Sequence, residues 1–370
     1  MNIEFVLLAI ILITAPVLWN VSRFWQGKVM MICTLLVFAW LAPWSLLIMV
    51  LTACAQWLIW KYMPPALKTT GVLLTICLPL LVLLSYKLGH KTINWIIPLG
   101  LSYYTFRQIH AAFECYKGII KVPTLEEYLQ YLLFLPVILV GPIHRMPEFQ
   151  RSLRRLKWQP SVFSDGMERI LYGLIKISFL GNYLFSVKFP QLAEHTDSVF
   201  IKLYIQTIAF TGNAYVQFAG FSDLAIGMGL IWGIRVIENF NRPFLATNMQ
   251  DFWTRWHISL SSWCRDYIFQ PIIALSRNRW IALIISMLVL SLWHEISLRY
   301  IIWGMVQAAL VLLTVQSRKT FPSLSRFVNQ HPIGKWMGRI WVFHLFAFSC
   351  IFIGYENIHA AGALFKQLFG

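Results

Sequence analysis

Histidine is the side chain best suited to moving a proton near neutral pH: with an unperturbed pKa of about 6.5 it can take a proton from a hydroxyl and return one to a leaving group. Two histidines stand where such chemistry would be sheltered. His294 closes the apolar run 279–293 in Ser291-Leu-Trp-His-Glu295, and His257 lies one helical turn after Trp253 in the polar and aromatic segment 238–270. An ionisable His and Glu at the end of an apolar run are costly unless they face a bundle interior or a water-filled path. Three readings of His294 stay open at this level: a base acting on a hydroxyl, a structural hydrogen-bonding residue, and a station on the proton or substrate path of a transporter or flippase. Acyl transfer from a thioester fits the first, because an alcohol is a poor nucleophile until its proton is withdrawn, and the reaction needs no metal and no redox cofactor. His257, taken alone, reads as a hydrogen-bonded structural residue or a site-lining one. The other histidines, His144 and His359 among them, have less telling neighbours.

Other chemistries lack their residues. His294-Glu-Ile-Ser-Leu298 opens like the HExxH zinc motif, but Leu298 stands where the second ligand belongs. A GxxxxGK[ST] phosphate loop, a GxGxxG opening a helix after a strand and a GxSxG nucleophile elbow are all missing, which leaves ATP-driven, nicotinamide and flavin chemistry unsupported. The six cysteines include no CxxC pair and suggest neither a disulfide framework nor a zinc site.

The elements that must position the histidines are set by composition. Of 370 residues, 58% are hydrophobic and 12% charged, against about 25% charged in soluble domains, and the mean hydropathy is +0.63. An ordinary soluble domain is excluded; lipid is the solvent. In a soluble chain the net charge of +16 would point to nucleic acid, but in a membrane protein Lys and Arg collect on cytoplasmic loops, so no nucleic-acid partner is expected. A helix needs about 20 apolar residues to cross a bilayer, and the runs predict one all-α polytopic membrane domain over 1–370 with 9–11 spans. Among them are 29–60 bent at Pro43, separate spans at 199–218 and 221–237, and a re-entrant candidate at 128–142. The first run lacks the basic region and cleavage site of a secretory signal. Glu4 before it and Arg23 and Lys28 after it place the N-terminus outside.

Two polar segments interrupt the apolar background. In 144–158, Arg145, Arg151, Arg154, Arg155 and Lys157 face the single acid Glu148. The segment reads either as a topology and headgroup anchor or as a dock for an anionic donor or acidic carrier. In 238–270, Trp253, Trp256, Leu260, Trp263 and Tyr267 recur at steps of 3, 4, 3 and 4, and Asp251, Arg255, Ser259, Ser262 and Asp266 trace another face. This pattern predicts a helix in the membrane interface or lining a wet cavity.

Several ordered stretches together resemble the membrane-bound O-acyltransferase family in its bacterial branch. They are Pro98-Leu-Gly-Leu-Ser-Tyr-Tyr-Thr-Phe106, Gly141-Pro-Ile-His-Arg145, Phe218-Ala-Gly-Phe-Ser-Asp-Leu-Ala-Ile-Gly227, Glu238-Asn-Phe-Asn-Arg-Pro-Phe-Leu-Ala-Thr-Asn248, Phe252-Trp-Thr-Arg-Trp-His-Ile-Ser-Leu-Ser261, Arg265-Asp-Tyr267, Leu292-Trp-His294 and Trp303-Gly304. The likeness is strongest over 93–305. It implies a helical membrane protein with re-entrant or interfacial elements around a central tunnel, where a cytoplasmic acyl thioester meets an acceptor from the other side. His294 would then be the catalytic base and His257 the second family histidine. Asn248, Trp253, Arg255, Trp256, Arg265, Asp266 and Trp293 would line the tunnel, and the basic loop 145–157 would face the donor.

The resemblance further implies acetyl transfer from acetyl-CoA or an acyl-carrier protein to an exported or cell-surface polysaccharide, with D-alanyl or longer-acyl transfer to teichoic acid as the alternative. No tightly bound cofactor, a bacterial inner-membrane location and a periplasmic or extracellular partner protein would go with it. One departure matters: the family usually bounds the catalytic histidine with glycines, whereas Glu295 follows it here. An ionised carboxylate within reach would favour imidazolium unless Glu295 points to water or to a cation such as Arg299.

Overall fold

Helices account for every regular element described in the computed structural model. The described residues are 3–354; Met1, Asn2 and residues 355–370, with His359, lie outside them. In chain order the helices are α1 (Ile3–Asn20), α2 (Arg23–Leu41), α3 (Pro43–Tyr62), α4 (Lys68–Ile93), α5 (Leu101–Lys117), α6 (Leu125–Leu132), α7 (Met146–Arg154), α8 (Pro160–Glu194) and α9 (Val199–Ile231). There follow α10 (Met249–Arg255), α11 (Ile258–Cys264), α12 (Gln270–Ser276), α13 (Arg279–His294), α14 (Leu298–Thr320), α15 (Pro322–Gln330) and α16 (Pro332–Gly354). Seven of them, α2, α3, α4, α8, α9, α14 and α16, are long and apolar enough to cross a membrane, and two shorter apolar helices lie at Phe5–Asn20 and Arg279–His294. The protein is an all-α polytopic membrane protein.

Where the runs and the helices differ, the cause is local. Pro43 does not bend one helix. It opens α3 at its first position, where its missing N–H is no loss, after α2 has ended at Leu41. The two spans expected at 199–218 and 221–237 are instead the single 33-residue helix α9. Its glycines are packing sites rather than breaks. A Cβ on Gly220 would press on the Gly173 carbonyl and Ile177, and one on Gly227 would press on the Gly166 carbonyl and Ile170.

The chain forms two compact units, Met1–Tyr172 with Ser222–Ile237, and Gly173–Phe221 with Glu238–Gly370. In the first, the 128–142 run is α6 followed by a tight turn and irregular backbone, and Tyr131 through Ile138 are all buried in protein. That is the condition under which non-helical backbone is tolerated at membrane depth. Arg169 reaches the buried Asp223 at 2.6 Å. In the second unit, Phe252, Trp256 and Phe346 form an aromatic core, with ring centroids 4.5 Å apart for Phe252–Phe346 and 4.7 Å for Trp256–Phe346. The α13–α14 hairpin belongs to this unit. Asn278 caps α13 by accepting the backbone N–H groups of Trp280 and Ile281. Gly304 lets α14 approach α13 closely, since a Cβ there would collide with Ser291 Oγ.

Candidate functional site

His294 is the last residue of α13, and extended backbone at Glu295 turns the chain away at once, leaving the imidazole exposed at the open end of the helix. Three aromatic rings surround it. The Trp293 ring lies 4.5 Å away, edge-on. Tyr300 stacks on it nearly parallel, at 5.8 Å and 18°, and Trp303 meets it edge-on at 6.3 Å. Tyr300 and Trp303 face one way because they are three apart on α14. The C-terminal end of a helix carries partial negative charge, which stabilises an imidazolium formed there.

His257 lies on the other side of Trp293, with ring centroids 5.8 Å apart, and is 2% exposed. The expected helix through 253–267 is broken here: α10 ends at Arg255, and His257 adopts the left-handed conformation (φ 44°) before α11 begins. Asn239 compensates for the break. Its carbonyl accepts Ile258 N–H at 2.9 Å, and its side-chain oxygen accepts the Ser259 hydroxyl at 2.9 Å and, more weakly, Ser259 N–H. Because that oxygen accepts, His257 Nδ1 donates to it at 3.0 Å, and Nε2 carries the lone pair. Burial first, and then nearby His294, hold the His257 pKa well below the usual imidazole value, so the ring is neutral. A left-handed non-glycine residue costs about 1–3 kcal/mol and persists only where its surroundings over-determine it.

Trp253 joins the cluster through Trp303, at 6.2 Å. The indole N–H groups of Trp253 and Trp303 and Nε2 of His257 are buried without a protein partner. Buried polar atoms are almost always hydrogen-bonded, so these two donors and one acceptor are the groups through which the cluster can bind. Beside Trp253 lies a cavity of about 250 Å³, lined by Ile258, Cys264, Met287, Leu290 and Arg265, with no carboxylate among its lining residues.

The remaining residues expected to line a tunnel make the following contacts. Trp256 is 9% exposed and stacks on Phe252 in the aromatic core. Arg255 pairs with Asp251 at 2.9 Å, and Arg265 pairs with its neighbour Asp266 at 2.9 Å. Asn248 caps α10, accepting Asp251 N–H at 2.9 Å, and lines a separate, largely apolar cavity of about 510 Å³.

In the first unit, Arg151, Arg155 and Lys157 line a cavity of about 520 Å³, joined by Arg235 from beyond the end of α9. The sequence reading missed Arg235, 78 residues after Lys157; its only signal was a lone Arg following the apolar run. The one acid in the lining, Glu148, is held by Arg151 at 2.8 Å. Arg154 turns instead toward Glu127 at 3.8 Å, and Arg145 is half-buried at the start of α7. Tyr300 was also missed, although Tyr300, Trp303 and Gln307 recur at steps of 3 and 4 along one face of α14.

Fold and site therefore define a multi-pass helical membrane protein with a histidine exposed in an aromatic cluster at a helix end. Residues 38–355 match the membrane-bound O-acyltransferase family, and the chain belongs to it. Three curated relatives are similar to it. The probable alginate O-acetylase AlgI of Pseudomonas aeruginosa is 29% identical over 287 residues, covering 74% of this chain and 52% of that protein. The teichoic acid D-alanyltransferase of Bacillus subtilis is 28% identical, covering 70% and 69%. The peptidoglycan O-acetyltransferase of Helicobacter pylori is 25% identical, covering 78% and 59%. The chain spans about half the length of the alginate O-acetylases it matches.

Proposed function

We propose that the protein is an O-acyltransferase of the bacterial cytoplasmic membrane that moves an acetyl group from a cytoplasmic thioester, acetyl-CoA or an acyl-carrier protein, to hydroxyls of an exported or cell-surface polysaccharide. The observation that carries this is the exposed imidazole of His294 at the end of α13, ringed by Trp293, Tyr300 and Trp303, in a chain of this family. The whole chain, 1–370, acts as one acyltransferase domain, with its N-terminus outside.

In this reading His294 takes the proton of the acceptor hydroxyl as its oxygen attacks the thioester carbonyl. The C–S bond breaks, and the thiolate recovers the proton from the imidazolium. The open indole N–H groups of Trp253 and Trp303 are donors for the carbonyl oxygen while it carries negative charge. Neutral His257 orients the cluster through Trp293. The basic cavity around Arg155, Lys157 and Arg235 receives the phosphates of coenzyme A or the acidic face of a carrier. Acetyl is chosen over D-alanyl on the similarity to the probable alginate O-acetylases. A second protein on the outer side completes delivery to the glycan.

The test is acyl transfer from labelled acetyl-CoA in membranes holding equal amounts of wild type and His294→Ala. Loss of labelled ester in the variant supports the reading; undiminished product overturns it.

A further inference from the structure

Glu295 stands beside His294 where its carboxylate would be expected to hold the imidazole protonated, and protonated His294 could not act as a base. The structure supplies a counter-charge one helical turn on: Arg299 Nη2 forms an ion pair with Glu295 Oε2. The two side chains are 21% and 36% exposed, so the pair is partly shielded from water. The guanidinium also lies 5.5 Å from the centre of the Tyr300 ring, the same ring that stacks on His294. Arg299 thus bridges the acid and the ring against which the imidazole packs.

We propose that Arg299 neutralises Glu295 and fixes Tyr300, and so keeps His294 in its proton-accepting form; both are positioning residues acting through His294. This rests on the reading of His294 as the base. Among the described residues, other charged or titratable groups also lie around the cluster: Arg265, paired with Asp266, is beside Trp253. On α14 there is the Tyr300 hydroxyl, on the turn before α11 there is neutral His257, and on α16 there is the Cys350 thiol, within electrostatic reach of Tyr300. The end of α13 adds only a partial negative charge. Of these, the Glu295 carboxylate is the one full negative charge adjacent to His294 in sequence, and Arg299 is its direct partner.

The experiment is a titration of the His294 side-chain NMR signal in the full-length protein in detergent, the signal being assigned by its loss in His294→Ala. Wild type is compared with Arg299→Gln, Glu295→Gln and the double variant. Arg299→Gln leaves an uncompensated carboxylate and moves the midpoint up by about one unit. Glu295→Gln leaves an uncompensated cation and moves it down, and the double variant returns it close to wild type. The acid limb of kcat/KM moves in the same directions. Coincident midpoints in all four proteins, or shifts of one sign, overturn the inference. Should Arg299→Gln fail to fold, Glu295→Gln against the double variant still decides it. Loss of transfer in His294→Ala with four coincident titrations removes this inference alone. Opposed shifts with transfer intact in His294→Ala leave the coupling standing and remove the acyltransfer reading.

Discussion

The rings of His294 and Tyr300 are stacked within 18° of parallel, with centroids 5.8 Å apart, although one residue ends α13 and the other lies in the first turn of α14. The three-residue link 295–297 brings them together, and Ser297 N–H closes it on the Glu295 carbonyl at 3.1 Å. An imidazole packed on a ring has fewer orientations to search than one in water. Tyr300→Phe keeps the ring and should leave kcat within about twofold of wild type. Tyr300→Ala removes a contact worth about 0.5–1.5 kcal/mol and should lower kcat by up to about tenfold. Single-turnover transfer in membranes at matched abundance measures both.

Trp303 separates two roles in one side chain. Its ring packs on His294 and Trp253, while its buried N–H has no protein partner. Trp303→Phe keeps most of the packing and deletes the donor. Removing one such donor from a preorganised site costs roughly 100-fold or more in kcat, and a fall of that order with little change in donor KM is expected. An unchanged kcat would restrict Trp303 to packing.

The two histidines and their aromatic setting were legible in the sequence because their types and order are chemically unusual in an apolar chain. Burial of 131–138 was foreshadowed by Pro136 and Gly141-Pro142, which shorten the run and make it a re-entrant candidate that protein must cover. What periodicity could not deliver was the break at His257. The steps of 3 and 4 from Trp253 to Tyr267 continue across it, and all five residues are buried, yet the backbone turns left-handed because Asn239, 18 residues earlier, supplies the hydrogen bonds. Long-range hydrogen bonds leave no local pattern. Nor does residue type show that Asn248 serves as a cap and Arg255 as half of an ion pair.

Neutral, buried His257 makes stability depend on pH. Its pKa is depressed in the folded chain, so below the unfolded value of about 6.5 the unfolded state binds the extra proton. Its contribution is therefore full above that pH and is lost as pH falls below it. Thermal unfolding in detergent should show a falling midpoint from pH 7 to pH 5. His257→Gln should flatten that slope without abolishing it, because burial also depresses His110 and His144. An identical slope in the variant would mean that His257 is already charged in the folded chain.

The basic cavity of the first unit yields a prediction of the opposite kinetic type. Arg155, Lys157 and Arg235 share its lining, and the only acid there is already held by Arg151. If these cations receive donor phosphates, they act on binding and leave the chemical step alone. Arg235→Ala should raise donor KM about three- to tenfold, in line with a partly exposed charge-assisted contact worth roughly 1 kcal/mol, and should leave kcat unchanged. Wild-type KM should rise with salt, because exposed charges are screened beyond about 8 Å at physiological ionic strength, and the variant should rise less steeply. A lipid-anchoring role predicts a different pattern: lower abundance in the membrane, with KM and its salt dependence as in wild type. Initial rates across donor concentration at two salt levels, with protein amount measured in the same membranes, separate the two.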